Sequence, residues 1–447
     1  MTVKYPLQKD LLSGIAEKTL DNGLKVICLK KTGAPVVAAQ VWYKTGSANE
    51  RPGIYGISHI LEHMMFRGSE HVESEKHARC INDVGGHCNA FTAEDVTAYF
   101  NSVPRDHLDM VLELEADRMK GLTLDKEIFE TERSVIVEEY HTYMNNPVAK
   151  AFLEFRTVFY DNHPYQVSPL GKIEDISSVT TDDLAAYRRK WYAPDNAVLV
   201  IVGEFDTTAS LFERIHEHFG AIKPANNHTG EGTVTPFHET ERRGVWMKRR
   251  VNFDVPILLM GYPSPASADA DVLPLDIFQM ILAQGETSRL HREIVRKQSI
   301  AVMAGGMNHS LKRAGMSMIF AVFTPDTSHR KVEAALNKEI ALIKKEGISE
   351  KELEKVKNVA LTGRTFDMFS AEHICQKLGY AETVDGNFKS WVEKMKTLEE
   401  LNCDQLLHTA KKYWNDQQRH TLFLKPKKVN PLLFFVGIIR RFLPKRR

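Results

Sequence analysis

GISHILEHMMF, residues 56–66, decides how this chain of 447 residues is interpreted. Two histidines stand four positions apart in it, and a glutamate comes directly before the second. On an α-helix, positions i and i+4 share one face, so His59 and His63 can reach the same metal ion. Glu62 can face a water on that metal. The order H-x-x-E-H reverses the commoner H-E-x-x-H zinc helix.

The apolar character of this stretch limits what its polar side chains can do. Its hydrophobic members are Ile57, Ile60, Leu61, Met64 and Met65. A single histidine in such a helix is usually a hydrogen-bonded core residue. Two histidines and a carboxylate together carry a large desolvation penalty if they stay unpaired, and a metal ion removes it. We therefore interpret the stretch as a metal-binding helix.

Length and composition bound the wider architecture. The chain is long enough for two or three domains. Its hydrophobic fraction of 43% and charged fraction of 26% are typical of a soluble globular protein. A net charge of +1 gives no field that would recruit nucleic acid, so we predict no nucleic-acid partner. Five scattered cysteines do not resemble a disulfide framework and indicate a reducing compartment.

The two ends of the chain bear on its location. Residues 1–6 lack the apolar core of a secretory signal, and no stretch approaches the roughly 18 apolar residues of a membrane span. We expect a cytoplasmic protein. The segment 431–447, PLLFFVGIIRRFLPKRR, is apolar and then basic. Such a segment can lie on a membrane surface or dock on a partner, and packing on its own domain or disorder are the alternatives.

Apolar periodicity predicts the order of elements in the first half. The strands are expected as a hairpin at 19–29 and at 36–44, 97–103 and 197–202, and the helices at 54–66, 76–84, 106–119 and 125–144. Residues 221–240 are polar and rich in Gly, Pro, Asn and Thr, which indicates a linker. We therefore predict an N-terminal domain at 1–220, a C-terminal domain at 241–425 and a tail at 426–447.

The second half of the sequence repeats the first. With Gly68 set against Gly285, the strand at 36–44 falls opposite Phe253–Gly261. In that register the second copy replaces His59 by Asp276, Glu62 by Gln279 and His63 by Met280. The sequence thus predicts an α+β protein of two homologous domains, each a mostly antiparallel sheet packed with helices. Only the first domain should bind metal.

The helix at 125–144 is the best source of a third ligand, which a catalytic zinc needs beside one open position. Its apolar stripe consists of Ile128, Phe129, Val135, Ile136, Tyr140 and Tyr143. Steps of three and four along that stripe pass through Glu132 and Glu139, while Glu138 faces water. Inward carboxylates need a partner. We expect one to bind metal and one to support the site, with pairing to an arginine or capping of another element as the alternative.

These residues resemble the pitrilysin-type zinc peptidases, in the branch of mitochondrial processing peptidase and its bacterial relatives. That family follows H-x-x-E-H with a glutamate in an E-R-x-V-I-x-x-E helix, here residues 132–139. Glu139 follows His63 at the family's spacing of 76 positions. The resemblance implies His59, His63 and Glu139 as Zn²⁺ ligands, Glu62 as general base and Glu132 as a supporting catalytic carboxylate.

Three further segments are similar to the family. They are residues 86–92 (G-x-x-N-A-x-T), 191–199 (Y-x-P-x-N-A-x-L) and 285–290 (G-x-x-S-R-L). The first implies substrate contacts at Asn89, Ala90 and Phe91. The strand expected at 97–103 would then pair with an extended peptide as an added strand.

One departure concerns the positions after the S-R-L segment. Active members often carry an arginine and a tyrosine there, where this chain has Val295 and Val302. The resemblance implies a bacterial zinc endopeptidase for extended peptides or unfolded segments. The departure favours the catalytic half of a heterodimer whose sister subunit supplies the missing pair. A non-catalytic structural subunit of a membrane-associated complex, like the related core subunits of the respiratory bc1 complex, is the alternative.

A rival metal cluster consists of His77, Cys80, His87 and Cys88. Its soft ligands suit a structural zinc. Their spacing matches no common zinc module, so we rank this cluster below the H-x-x-E-H helix.

Overall fold

The computed structural model describes residues 12–226, 243–428 and 431–435, which form two compact units. The first unit takes its described residues from within Met1–Thr142, Asn162–Glu231 and Gly363–Met395. The second takes them from within Tyr143–Asp161, Gly232–Thr362 and Lys396–Arg447. Most of the expected linker at 221–240 and of the tail at 426–447 lies outside the described residues. The predicted domain ranges stay predictions.

The first unit is built on a sheet of six strands. They are β1 Ile15–Thr19, β2 Lys25–Lys30, β3 Val36–Tyr43, β4 His87–Thr92, β5 Thr97–Pro104 and β6 Ala197–Gly203. Their order is β1-β2-β6-β3-β5-β4, and only β2 and β6 pair in parallel. The expectation that residues 97–103 add a peptide strand is wrong, because β5 already has β3 and β4 on its two sides. At this side of the sheet the edge strand is β4, and β1 forms the opposite edge.

Helices from the first half of the sequence follow the predicted order. They are α1 Ile57–Met64, α2 Lys76–Asp83, α3 Leu108–Lys120, α4 Lys126–Asn145, α5 Pro147–Phe159, α6 Ile173–Ser178, α7 Thr181–Trp191 and α8 Thr208–Phe219. Residues of α1, α3, α7 and α8 form one core with the first sheet. Single 3₁₀ turns occur at Ser47–Asn49, Arg105–His107, Pro164–Gln166 and Pro194–Asn196.

Burial on both faces explains the composition of the central strands. In β3, Val37, Ala39 and Val41 join the core with α1, while Ala38 and Trp42 join a second core on the opposite face. Side chains alternate between faces along a strand, so a strand covered on both sides must be apolar throughout. This is why β6 reads as the unbroken run AVLVIVG.

The second unit is built on a sheet of five strands. They are β7 Trp246–Val251, β8 Ile257–Ser264, β9 Met303–Ser310, β10 Gly315–Val322 and β11 His420–Pro426. The second half of the sequence also contains the helices α9 Val272–Ala283, α10 His329–Glu346, α11 Glu350–Asp367, α12 Ala371–Tyr380, α13 Lys389–Glu400 and α14 Cys403–Tyr413, of which α12 belongs to the first unit. Residues His291–Lys297 and Ala381–Asp385 are π-helical.

The strand order confirms the predicted repeat. The second sheet runs β7-β11-β8-β10-β9, which matches β2-β6-β3-β5-β4 of the first, and β7 pairs with β11 in parallel as β2 does with β6. The α+β fold of two homologous domains is therefore confirmed. The counterpart of β3 is β8, which begins at Ile257, so the predicted counterpart at Phe253–Gly261 began too early.

The second face of each sheet is covered by a helix from the other half of the sequence. In the first unit, Ile374, Cys375 and Leu378 of α12 pack on β3 and β6. In the second unit, α5 packs on β7 and β11. Its Phe155 ring lies so close to β8 that a Cβ added to Gly261 would meet it at 3.1 Å. Each unit is thus discontinuous in sequence.

An ion pair fixes the S-R-L segment to α11 in the second unit. Arg289 donates to both carboxylate oxygens of Glu352, at 2.8 and 2.7 Å, and Ser349 donates through its N–H at 3.1 Å and its hydroxyl at 2.8 Å. Burial acts to raise the pKa of Glu352, but these bonds outweigh it and lower the pKa from 4.5 to about 2. The exposed fractions of the two side chains are only 14% and 22%, so solvent screens the pair weakly.

We expect Glu352→Gln to reduce the free energy of unfolding by about 2–3 kcal/mol at pH 7. Because the folded pKa is depressed, this stabilisation is present above pH 4.5 and disappears as the pH falls through 2. Urea unfolding at pH 7, 4.5 and 2.5 measures it as the difference from wild type. Glu354→Gln, an exposed position on the same helix, should stay within about 0.5 kcal/mol throughout. A pH-independent difference for Glu352→Gln would contradict the assignment.

Candidate metal centre

Helix α1 is held at its N-terminus by a carboxylate. Gly56 precedes the helix in a left-handed conformation, with φ at 100°. Its N–H and that of Ser58 donate to Glu50, at 2.7 and 2.9 Å, which satisfies backbone donors that have no partner within the helix. Burial raises the pKa of Glu50 to about 7, and these bonds together with the Ser58 hydroxyl act against the rise. The start of the metal-binding helix is therefore fixed.

His59, His63 and Glu139 converge on one point in the first unit. Oε2 of Glu139 lies 3.7 Å from Nε2 of His59 and 3.8 Å from Nε2 of His63. One ligand atom from each of the three residues lies within 4.8 Å of the others. The two imidazole rings stand nearly perpendicular, at 85°, with centroids 4.9 Å apart. Two helices, α1 and α4, supply this cluster.

The spacing of the three donors fits a shared cation better than direct bonding. At 3.7 and 3.8 Å the carboxylate is too far from either ring for a hydrogen bond. Ligands of a tetrahedral zinc lie about 3.4 Å apart, given bonds of about 2.1 Å. Two histidines and a glutamate are also a donor set of catalytic zinc sites. The residues present therefore fit a zinc ion.

The protonation of His59 favours the same interpretation. Burial lowers the pKa of His59, the neighbouring His63 lowers it further, and Glu139 acts in the opposite direction. The ring is therefore neutral at neutral pH, which is the form that binds metal. Its Nδ1 atom is buried and has no hydrogen-bond partner among the described residues.

Glu132 lies behind the cluster and is almost completely buried. One of its oxygens is 3.3 Å from Nδ1 of His63, and the other is 2.8 Å from Nε of Arg67. A carboxylate on the far nitrogen of a ligand histidine fixes the orientation of the ring and its tautomer. Arg67 also contacts Glu75 at 2.7 Å. The structure thus places Glu132 where the resemblance put a supporting carboxylate. Glu132 also pairs with an arginine, Arg67, which was the alternative expected for an inward carboxylate.

The orientation expected for α4 needs a correction. Phe129, Glu132 and Ile136 are buried, but Val135 and Tyr143 of the predicted apolar stripe are exposed by 48% and 41%. The Glu139 side chain, expected to point inward, is 51% exposed. The buried stripe is narrower than the spacing suggested, and Glu139 reaches the histidines along the border of that stripe.

Glu62 lies next to the cluster and bonds to the end of β4. Thr92 donates its hydroxyl to Oε2 of Glu62 at 2.5 Å. Burial raises the pKa of Glu62 and Glu139 adds to the rise, while the bond from Thr92 and the nearby His63 oppose it. A carboxylate with a raised pKa is a stronger base than a free one, which suits a group that accepts a proton from water.

A cavity of about 590 Å³ opens beside these residues. Its lining includes Glu62, His63 and Glu132, together with Asn89 of β4. The other two residues expected to contact substrate do not line it: Phe91 packs edge to face on Trp42 at 5.6 Å, and Ala90 packs against the core. Of the three, the structure places only Asn89 at the cavity.

Sequence analysis missed one wall of this cavity. It consists of Glu75, Ala78, Arg79 and Asn82, which flank or belong to α2, with Phe66 and Arg67 after α1. The α2 positions follow the i, i+3, i+4, i+7 pattern of one helical face. That polar face was the available signal, but only the packing of α2 beside β4 shows what it lines.

The rival cluster is not assembled. His77 is buried and bonds to Asn101 at 3.3 Å, and His87 contacts Glu372 at 3.5 Å. Within the described ranges, His59, His63 and Glu139 are the one group of three or more His, Cys, Asp or Glu side chains that lie close enough together to hold a metal ion. In the second unit, Gln279 donates to Ser317 and to the Met318 carbonyl, both at 2.9 Å, in place of a ligand.

A duplicated α+β fold, of which the first copy alone carries an H-x-x-E-H helix, defines the class of the inverted-motif metallopeptidases. Two family models match the chain: Insulinase (Peptidase family M16) over residues 25–171, and Peptidase M16 inactive domain over residues 178–360. The chain belongs to peptidase family M16. The resemblance to pitrilysin-type peptidases is confirmed.

Individual relatives agree with this assignment. The zinc protease PqqE of Helicobacter pylori is 30% identical over 420 residues, which cover 91% of this chain and 92% of that protein. The uncharacterized zinc protease YmxG of Bacillus subtilis is 25% identical over 402 residues, 90% and 96% of the two chains. The crystal structure of a protease from Helicobacter pylori has a TM-score of 0.86 at 27% identity and covers 92% of this chain and 99% of that one. The relatives' names support a zinc peptidase.

Among the described residues, no helix has both the length and the hydrophobicity needed to cross a bilayer. The described part of the tail carries exposed Leu432, Phe434 and Phe435. The location of the protein and the contacts of this tail stay predictions.

We expect Glu132→Gln to weaken zinc binding by about 10–100-fold, because the change removes the charge that orients His63. Competition with a chromophoric chelator measures this affinity without reference to activity. Glu138→Gln, an exposed position on the same helix, should bind zinc as the wild type does. Equal affinities of the two variants would show that Glu132 does not support the site.

Proposed function

We propose that this protein is a zinc-dependent endopeptidase that hydrolyses extended peptides or unfolded segments. The observation that carries the proposal is the convergence of His59, His63 and Glu139 at distances too long for hydrogen bonds and suited to a shared cation. Glu62 beside them supplies the base that such a reaction needs. Relatives named as zinc proteases support the same reaction class.

His59, His63 and Glu139 would hold the ion, and Glu132 would keep the His63 ring in place. A bound zinc polarises the scissile carbonyl and lowers the pKa of a water. Glu62 accepts the proton of the attacking water and delivers it to the leaving amine. Thr92 occupies one oxygen of Glu62 and so leaves the other for the proton.

The edge of the first sheet is the proposed place of the substrate. Strand β4 pairs with β5 on one side and is the last strand on its other side. Its Asn89 lines the cavity that also contains Glu62 and His63. An extended peptide can bond to a free edge through its backbone, which makes binding tolerant of sequence. Binding of this kind would require an extended segment and would therefore favour unfolded substrates.

We expect Glu62→Gln to keep its zinc and to lose at least about 10²–10⁴-fold in kcat, because only the base is removed. Zinc content by atomic absorption and cleavage of an unstructured fluorogenic peptide measure the two properties separately. A variant that binds zinc and turns over like the wild type would refute the role of Glu62.

The heterodimer is part of the proposal. At the two family positions in the second unit, Val295 is buried and 5% exposed, while Val302 is 42% exposed. Neither side chain can donate a hydrogen bond to a substrate carbonyl. A sister chain of the same family would supply the arginine and tyrosine, and the tail at 431–447 would contact a membrane surface.

Co-expression with a sister chain that carries both residues should raise kcat over that of the isolated chain by at least about tenfold, the value of one added charge-assisted bond. Replacing the sister's arginine by glutamine should abolish the gain. Equal rates with and without the sister would contradict the heterodimer. A zinc-loaded chain that is inactive in both states would favour the structural-subunit alternative.

A further inference from the structure

A second cavity, of about 570 Å³, lies in the second unit beside the first turn of α11. Its floor is apolar and includes Ile281 and Val356, which are almost completely buried. Its rim carries the hydroxyls of Thr287 and Ser349. Cavities of this size hold small organic molecules.

Three cations line this cavity without a matching number of anions. They are Arg292, Lys351 and Lys355. No carboxylate of a described residue forms an ion pair with any of the three. The carboxylate in the lining, Glu352, has both oxygens bonded to Arg289 and is also bonded to Ser349. The cavity is therefore electropositive.

The positions of the two lysines are unfavourable for the helix itself. Lys351 and Lys355 stand four residues apart in α11, so their charges repel each other along one face. Lys351 also lies in the first turn, where the helix dipole disfavours a cation. Lys355 donates to the Thr287 hydroxyl, which holds its ammonium group at the cavity. Apart from this bond, the two lysine side chains form no hydrogen bond or ion pair with a described residue that would stabilise the fold.

We propose that this cavity binds a small anion with two or more negative charges, of the phosphate or polycarboxylate class, with any apolar portion resting on Ile281 and Val356. In this site the planar guanidinium of Arg292 donates two parallel hydrogen bonds to the oxyanion. The ammonium groups of Lys351 and Lys355 attract the anion through their positive charge. The Thr287 hydroxyl accepts a bond from Lys355 and keeps its own proton for the oxyanion, whereas the Ser349 hydroxyl already donates to Glu352. The site lies outside the proposed zinc centre and is independent of peptide hydrolysis.

Isothermal titration calorimetry on the full chain tests this, with inorganic triphosphate and citrate as probes at constant ionic strength. We expect saturable 1:1 binding of at least one probe by the wild type. The double variant Lys351→Gln/Lys355→Gln and the single variant Arg292→Gln should each bind at least about tenfold more weakly. Binding of triphosphate alone assigns the ligand to phosphates, and binding of citrate alone assigns it to polycarboxylates.

Lys331→Gln/Lys411→Gln is the matched control, since it removes the same charge from exposed positions in the second unit that do not line the cavity. It should bind like the wild type. If the control and the cavity variants lost the same affinity for the probes, the effect would come from net charge and the proposal would be wrong. The proposal would also be wrong if the wild type bound neither probe saturably. Circular dichroism confirms that each variant is folded.

Discussion

The contact between Glu132, His63 and Arg67 is the constraint on which the candidate metal centre depends. It joins α4 to the chain that leaves α1, and it orients the ring of one ligand. Arg133, the next residue, anchors α4 from the opposite direction by donating to the carbonyls of Ile176 and Val179, both at 2.6 Å. Because a metal site tolerates displacements of only a few tenths of an ångström, two helices can supply ligands only if their spacing is fixed in this way. The buried carboxylate provides that spacing without the metal.

The sheet supplies the second constraint, through strand β4. Its terminal Thr92 bonds to Glu62, while its Asn89 lines the cavity, so one edge strand connects Glu62 with the cavity beside the cluster. The sheet itself is rigid because both of its faces are covered, by α1 and its neighbours on one side and by α12 on the other. Helix α12 comes from the second half of the sequence. The position of the edge strand therefore depends on residues more than 250 positions away along the chain.

Local patterns predicted the elements of the first half and the three residues that converge in the cluster, His59, His63 and Glu139, and they failed where packing between distant segments decides. The i, i+4 spacing of His59 and His63 is a property of one helix, so it could be predicted from the sequence. The burial pattern of α4 could not be predicted from its sequence. Val135 and Tyr143 lie on the face that the periodicity assigned to the core, but they are exposed to solvent. Helix α5 packs in the second unit and helix α12 in the first, each away from the rest of its own half of the sequence. This packing could not be predicted from local sequence, because an amphipathic helix shows the same pattern wherever it packs. The order of the strands could not be predicted from local patterns either. The strand at 97–103, which is β5, was wrongly expected to lie at an edge of the sheet.

The helix that carries the candidate histidine ligands in the first unit has a counterpart without them in the second unit, and the two helices differ in their polar contacts. In the second unit, Gln279 ties α9 to β10 through Ser317 and the Met318 carbonyl, and Asp276 accepts a bond from Asn308 at 2.9 Å. Polar groups of the helix are thus used to attach it to the sheet. In the first unit, Glu62 of the equivalent helix bonds to Thr92 of β4, while Nε2 of His59 and Nε2 of His63 lie near Glu139 at distances too long for hydrogen bonds. Polar donors that lie close together without bonding to one another bring little to folding, and such an arrangement persists when another role requires it. Both copies leave a buried polar atom unbonded among the described residues, Nδ1 of His59 in the first and Oε1 of Gln279 in the second. The spacing of three donors around one point, and not unsatisfied polarity, therefore distinguishes the first copy from the second.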